Sequence, residues 1–277
     1  MNEHIEKYLT HITLYKACLP RTIKTYRIYL QKFFLETSIV FPEAVSLEAI
    51  RTHCARLDIR ELNPKTKNLE ITIIRTFLKY LELEQNIKFS FNLSRIPYYK
   101  IPRYQKLDLP NDDEVHRLIA NTDDPLGDLI VNMLFDSGLR LSELSSIQFS
   151  QPQKSVSIVG KGGKQRVVFF SERSRALWAV YLRKAKFSQY LFTNNRGNRL
   201  DNRTIQRIIR ARARVMEISA PVSPHTFRHL FATTALRRGA PLHFLKEFLG
   251  HSSSSTTERY LHLTNIDLEK AWEACHN

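Results

Sequence analysis

SVSIVGKGGKQRVVFF, residues 155–170, is the stretch in which the chain changes period. β-Branched and apolar residues alternate on both sides of Gly160-Lys161-Gly162-Gly163, the pattern of two strands joined by a glycine-rich turn. The turn does not satisfy GxxxxGK[ST], and it joins strand to strand where a nucleotide-binding loop joins strand to helix. ATP binding is therefore not expected. On a hairpin tip Lys161 is placed to reach into a groove and protonate a leaving oxygen, and Lys164 and Arg166 are candidates for backbone phosphates. The bland alternative is a solvated basic turn.

Outward from the hairpin the rhythm is helical, so the expected fold is mainly α with one small β-hairpin. Upstream, Tyr26, Leu30, Phe33 and Phe34 recur at spacings of three and four, as do Ile73, Ile74, Phe77, Leu78 and Leu81. Pro20 and Pro64 open helices, and Pro42 interrupts one. Residues 92–110, NLSRIPYYKIPRYQKLDLP, lose this periodicity and carry Lys100, Arg103 and Lys106 among prolines and tyrosines. They read as a basic linker suited to a phosphate backbone, or as an ordinary proline-rich connector. Beyond Pro110, Asn111-Asp112-Asp113-Glu114 opens a helix, an apolar helix runs through Leu129 to Phe135, and Ser137-Gly138-Leu139 is a turn. Helical patterns return from Ala176.

Several polar residues flank these elements. Arg140 follows the Gly138 turn, with Glu143 near enough to orient its planar fork of donors toward phosphate oxygens. Ser142-Glu143 is read as the start of the next helix. Ser223-Pro224 caps a helix whose first turn carries His225, with Arg228 three residues on. HTFRH lacks the glutamate of a metalloprotease helix, so zinc is not expected. PLHFLKEFLG ends at Gly250 and is followed at once by His251. Ser255-Thr256-Thr257-Glu258 has capping-box spacing, which puts Tyr260 on a short helix near the same turn. Taken singly, each has a structural explanation: a surface arginine, a capping histidine, a core tyrosine.

Composition sets the partner class. Lys and Arg number 42 against 27 Asp and Glu, a formal charge of +15 with a pI near 9.8, which points to a polyanion such as nucleic acid. The excess is shared, 18 against 10 in residues 1–106 and 24 against 17 in residues 107–277. Cys18, Cys54 and Cys275 are too few and too scattered for a disulfide framework or a cysteine zinc site. The first residues are charged and no run of about 18 apolar residues occurs, so a cytoplasmic protein without a membrane partner is expected.

In their order, Arg140, Lys161, His225-x-x-Arg228, His251 and Tyr260 resemble the active-site set of tyrosine recombinases and integrases. GLRLSEL, GKGGKQR, HTFRH and LGHSSSSTTERY are similar to that family's motifs, and TIKTYRIYLQKFF with NLEITIIRTFLKYLE look like its N-terminal helices. In size the chain is most similar to the compact Xer type. The resemblance implies an N-terminal helical core-binding domain (1–95), a basic linker (96–109) and a catalytic domain (110–277) clamping double-stranded DNA at a specific site. It implies that Tyr260 attacks the scissile phosphate to give a 3′-phosphotyrosine and a free 5′-hydroxyl. Arg140, Arg228 and His251 would hold the non-bridging oxygens. Lys161, with Lys164 as fallback, would protonate the leaving oxygen, and His225 would assist proton transfer.

Neither metal nor cofactor is implied, since the covalent link conserves the bond energy. A tetramer on two DNA sites is implied, with a second recombinase or accessory factor left open, and residence at the nucleoid. The tail after Tyr260, with a short amphipathic helix over residues 266–272, would dock on a neighbouring subunit or pack on its own domain. Chromosome-dimer resolution and integration or excision of a mobile element use the same chemistry, and the residues do not choose between them. The rival readings are a type IB topoisomerase and a DNA-binding protein that keeps the fold without catalysis.

Overall fold

The computed structural model describes residues 1–16, 18–101, 108–160, 163 and 165–250. The chain divides into two compact units, Met1–Gln105 and Lys106–Asn277.

Among the described residues of the first unit, four α-helices form: α1 (Asn2–Lys16), α2 (Pro20–Thr37), α3 (Leu47–Ile59) and α4 (Pro64–Glu84). Pro20 and Pro64 sit in first turns, where a missing N–H costs nothing, and Ser46 and Asn63 cap α3 and α4 by accepting the N–H of Ala49 and of Lys65. Pro42 begins a single 3-10 turn, Pro42–Ala44, between α2 and α3. The stripes seen in the sequence meet in one core, with Phe33, Phe77, Leu30 and Leu81 fully buried. Each such side chain contributes about 1.5–3 kcal/mol by leaving water. His53 is also fully buried, its two ring nitrogens each 3.0 Å from a carboxylate, Glu36 on one side and Glu70 on the other.

Part of the expected linker is packed on this unit. Ile96 is buried in its core. The backbone N–H of Tyr99 donates to Asn68 Oδ1 at 2.8 Å, and its hydroxyl donates to the Cys54 carbonyl at 3.0 Å. Tyr98 lies under the Arg75 guanidinium, 4.2 Å from ring centre to charge. These contacts join residues more than 20 positions apart, which local periodicity does not reveal.

The second unit contains α5 (Asp112–Ile119), α6 (Pro125–Ser137), α7 (Leu141–Ser145), β1 (Ser155–Val159), β2 (Gln165–Phe169), α8 (Glu172–Leu182), α9 (Asn202–Val215), α10 (Pro224–Arg237) and α11 (Leu242–Leu249). Residues 129–134 of α6 are all buried, as expected of a helix that is surrounded on every side. Around it pack α5, α8, α9, α10 and β2. The expected hairpin forms as a two-stranded antiparallel sheet, with Ser155 opposite Phe169 and Val159 opposite Gln165. Alternation aims Ile158 and Val168 into the core. Asn111 and Glu114 cap α5 reciprocally. Two helix starts differ from expectation. Ser171 caps α8, so it begins before Ala176, and α7 starts at Leu141 with Arg140 in the capping position. No helix among the described residues is long and apolar enough to cross a membrane.

Candidate active site

Two arginines from different elements of the second unit meet on the carboxylate of Glu143 in α7. α6 ends at Gly138, whose φ of +58° reverses the chain. A Cβ there would lie 2.9 Å from Leu249 Cδ2 and from Phe231 Cδ1, so glycine is required by both conformation and space. Two residues on, the backbone N–H of Arg140 donates to Glu143 Oε2 at 2.8 Å, and its Nη1 donates to Glu143 Oε1 at 2.9 Å. Arginine has no acceptor, so Glu143 alone caps this end of α7.

From β2, Arg166 makes a two-pronged contact with the same carboxylate, Nη1 to Oε1 at 2.9 Å and Nη2 to Oε2 at 2.8 Å, while its Nε donates to the Phe248 carbonyl at 2.7 Å. Expected at a DNA phosphate, Arg166 has all three donor nitrogens engaged within the protein, and its side chain is only 10% exposed. The Glu143 side chain is 3% exposed. Burial pushes its carboxyl up, but the bonds from Arg166, from the Arg140 N–H and from the Arg140 guanidinium outweigh that and hold it below the usual carboxylate value.

The C-terminus of α11 supplies the other half of the site. Its last carbonyls lack helical partners. Arg140 Nη2 donates to the Gly250 carbonyl at 3.2 Å, and Arg228, buried on α10, donates from Nη1 to the Gly138 carbonyl at 2.8 Å and from Nη2 to the Leu249 carbonyl. Arg140 and Arg228 thus bind consecutive carbonyls, which brings two residues 88 positions apart in sequence into one cluster. Arg140 remains 30% exposed, so its guanidinium also faces solvent. His225 lies in the first turn of α10, behind the Ser223 cap, and is exposed. Lys100 is exposed on the first unit. Lys161, Lys164, His251, Tyr260, Arg103 and Lys106 lie outside the described residues, as do the capping box at 255–258 and the tail helix. The chain reaches His251 directly from Gly250, whose carbonyl Arg140 holds.

One basic surface escaped the sequence reading. Arg203, Arg207, Arg210 and Arg214 of α9 are all exposed, while Ile205, Ile209 and Arg212 on the opposite side are buried. Spacings of four, three and four residues put the four guanidiniums on one face. Helical periodicity applied to arginine, and not only to apolar residues, would have found it.

Residues 111–266 match the description of the phage integrase family. The chain belongs to that family. Along its length it is 30% identical to the tyrosine recombinase XerC of Thermodesulfovibrio yellowstonii, covering 99% of this chain and 96% of the relative. Its fold is similar to that of the XerH site-specific recombinase bound to palindromic difH substrate, in a post-cleavage complex (TM-score 0.75, 20% identity, 99% of this chain and 84% of that one). It is also similar to lambda integrase in a tetramer bound to a Holliday junction (TM-score 0.73, 13% identity, 91% of this chain and 77% of that one).

As a phage integrase relative of this kind, the protein is a tyrosine site-specific recombinase, and the relatives give the topoisomerase reading no support. The family match spans all six positions singled out in the sequence, from Arg140 to Tyr260. What this integrase's geometry adds is the arrangement behind them: two guanidiniums seated on the end of α11, one of them sharing a buried carboxylate with a third.

Proposed function

We propose that Tyr260 is the nucleophile of this recombinase. Its phenolic oxygen attacks the scissile phosphorus, the bond to the 5′-oxygen breaks, and the DNA is left with a 3′-phosphotyrosine and a 5′-hydroxyl. Arg140 and Arg228, with His251, stabilise the charge on the non-bridging oxygens. Lys161 delivers a proton to the leaving 5′-oxygen, with Lys164 the fallback donor, and His225 relays the proton lost by the tyrosine. Attack by the 5′-hydroxyl of a partner strand reverses the step and restores a phosphodiester without ATP or metal. The observation that carries this reading is the seating of Arg140 and Arg228 on the adjacent carbonyls of Gly250 and Leu249, one residue before His251.

Duplex DNA with a specific recombination site is the proposed substrate, bound by the helical unit (1–95), the basic linker (96–109) and the catalytic unit (110–277). Lys100, Arg103 and Lys106 on the linker and the arginine face of α9 are the proposed backbone and groove contacts. Four copies would pair two sites, a number that matches the lambda integrase tetramer bound to a Holliday junction, and the protein would act at the nucleoid. To test the substrate, the chain is incubated with nicked duplex fragments of its source genome, and DNA surviving denaturation on the protein is sequenced. Recovery of one recurring sequence supports a specific site; fragments without a common sequence contradict it.

A further inference from the structure

The place of Arg166 in the cluster has an electrostatic consequence. Arg140 touches Glu143 at two points, and an arginine paired one-to-one with a carboxylate is a neutral unit, a poor ligand for phosphate. Here the carboxylate is shared. Arg166 covers both of its oxygens, so Arg140, Glu143 and Arg166 together carry one net positive charge, and the only guanidinium of the two that faces solvent is that of Arg140. Arg166 also holds the Phe248 carbonyl, and Gly250 lies directly against it, a Cβ there coming within 3.2 Å of Nη1. A single side chain from β2 therefore neutralises the acid that orients Arg140 and anchors the end of α11 that seats Arg140 and Arg228. It comes from the strand that leads out of the lysine-bearing tip.

We propose that Arg166 is a positioning residue of the strand-transfer reaction: by saturating Glu143 it leaves the charge of Arg140 available to the scissile phosphate. The inference rests on the reading of Arg140 as a phosphate ligand. Arg166 itself does not touch DNA and acts through its neighbours.

The test measures single-turnover formation of the covalent adduct on a nicked duplex, at saturating DNA, for wild type, Arg166→Gln, Arg166→Lys and the double variant Glu143→Gln/Arg166→Gln. Arg166→Gln is expected to cut roughly 10–100-fold more slowly, the size of loss seen when the outer partners that orient metal ligands are removed, with DNA affinity little changed. Arg166→Lys keeps the charge without the fork and falls between. Removing the acid as well restores the net charge, so the double variant is expected to cut faster than Arg166→Gln. On a duplex whose scissile phosphate carries a methylphosphonate, which has one charge fewer to stabilise, the Arg166→Gln deficit shrinks; a purely structural defect would persist there unchanged. Arg166→Lys on the same pair of duplexes gives the same reading if Arg166→Gln does not fold. A deficit equal on phosphate and methylphosphonate, or a double variant no faster than the single one, overturns the proposal. Wild type that cuts while Arg166→Gln cuts equally fast overturns it alone, whereas wild type that forms no adduct overturns the reading of the site as well.

Discussion

Arg228 Nη1 donates to the Gly138 carbonyl at 2.8 Å, so a buried guanidinium on α10 reads the turn that ends α6. With its other prong on Leu249, it is fixed before any substrate arrives. Preorganised charge of this kind acts in the transition state without a cost of reorientation. Arg228→Ala is expected to slow adduct formation by about a hundredfold, of order 3 kcal/mol, and Arg140→Ala similarly. Single-turnover cleavage of a nicked duplex checks both; a near-normal rate removes that residue from the phosphate.

Gly138 permits this arrangement. Gly138→Ala would force a side chain into a left-handed turn against Leu249 and Phe231. It is expected to destabilise the fold by about 1–3 kcal/mol, read by thermal or denaturant unfolding, and to slow cleavage by displacing the end of α11. Unchanged unfolding and an unchanged rate contradict the packing argument.

Away from the site, Arg212 and Asp128 form a buried pair, Nη1 to Oδ1 at 2.6 Å, with Thr122 donating its N–H and hydroxyl to the same carboxylate. Both side chains are nearly inaccessible, so losing one partner strands the other. Arg212→Met is expected to cost about 3–5 kcal/mol of stability, measured by denaturant unfolding. A cost below about 1 kcal/mol would mean that the site relaxes to admit water.

Acid should loosen the second unit through Glu114. The Ser219 hydroxyl, with the backbone N–H groups of Asn111 and Ser219, holds its carboxyl down to about 2 from an ordinary 4.5. Because the folded value is the lower one, the contribution is complete above about 4.5 and is lost as pH falls toward about 2. Stability measured across that window should fall in wild type and fall less steeply in Glu114→Gln. Parallel curves contradict the assignment.

The arginine face of α9 predicts the salt response. Replacing Arg207 and Arg210 with glutamine should weaken duplex binding and reduce the slope of log affinity against log salt by roughly one for each phosphate that is no longer neutralised. An unchanged slope would take α9 off the DNA.

Much of this fold could be read from the residues because its signals are local. Alternation across Ser155–Phe170 specified the hairpin, and caps at Asn111 and Ser223 specified helix starts. Tyr98 and Tyr99 were read as linker because their partners, Arg75, Cys54 and Asn68, are distant in sequence. The order Arg140, Arg228, Tyr260 was visible in the sequence, but the use of Arg166 was not. Strand periodicity gives the side of the sheet on which a residue lies, and says nothing of a partner 23 or 82 residues away.

The proposed chemistry turns on a bond between Tyr260 and a 3′-phosphate. The most direct measurement traps the adduct on a nicked duplex without metal or ATP, digests the protein, and identifies the DNA-bearing peptide and the freed DNA end. A peptide carrying its nucleotide on Tyr260, with a free 5′-hydroxyl on the released strand, is the predicted result. Attachment at another residue, linkage to a 5′-phosphate, or undiminished cleavage by Tyr260→Phe would contradict it.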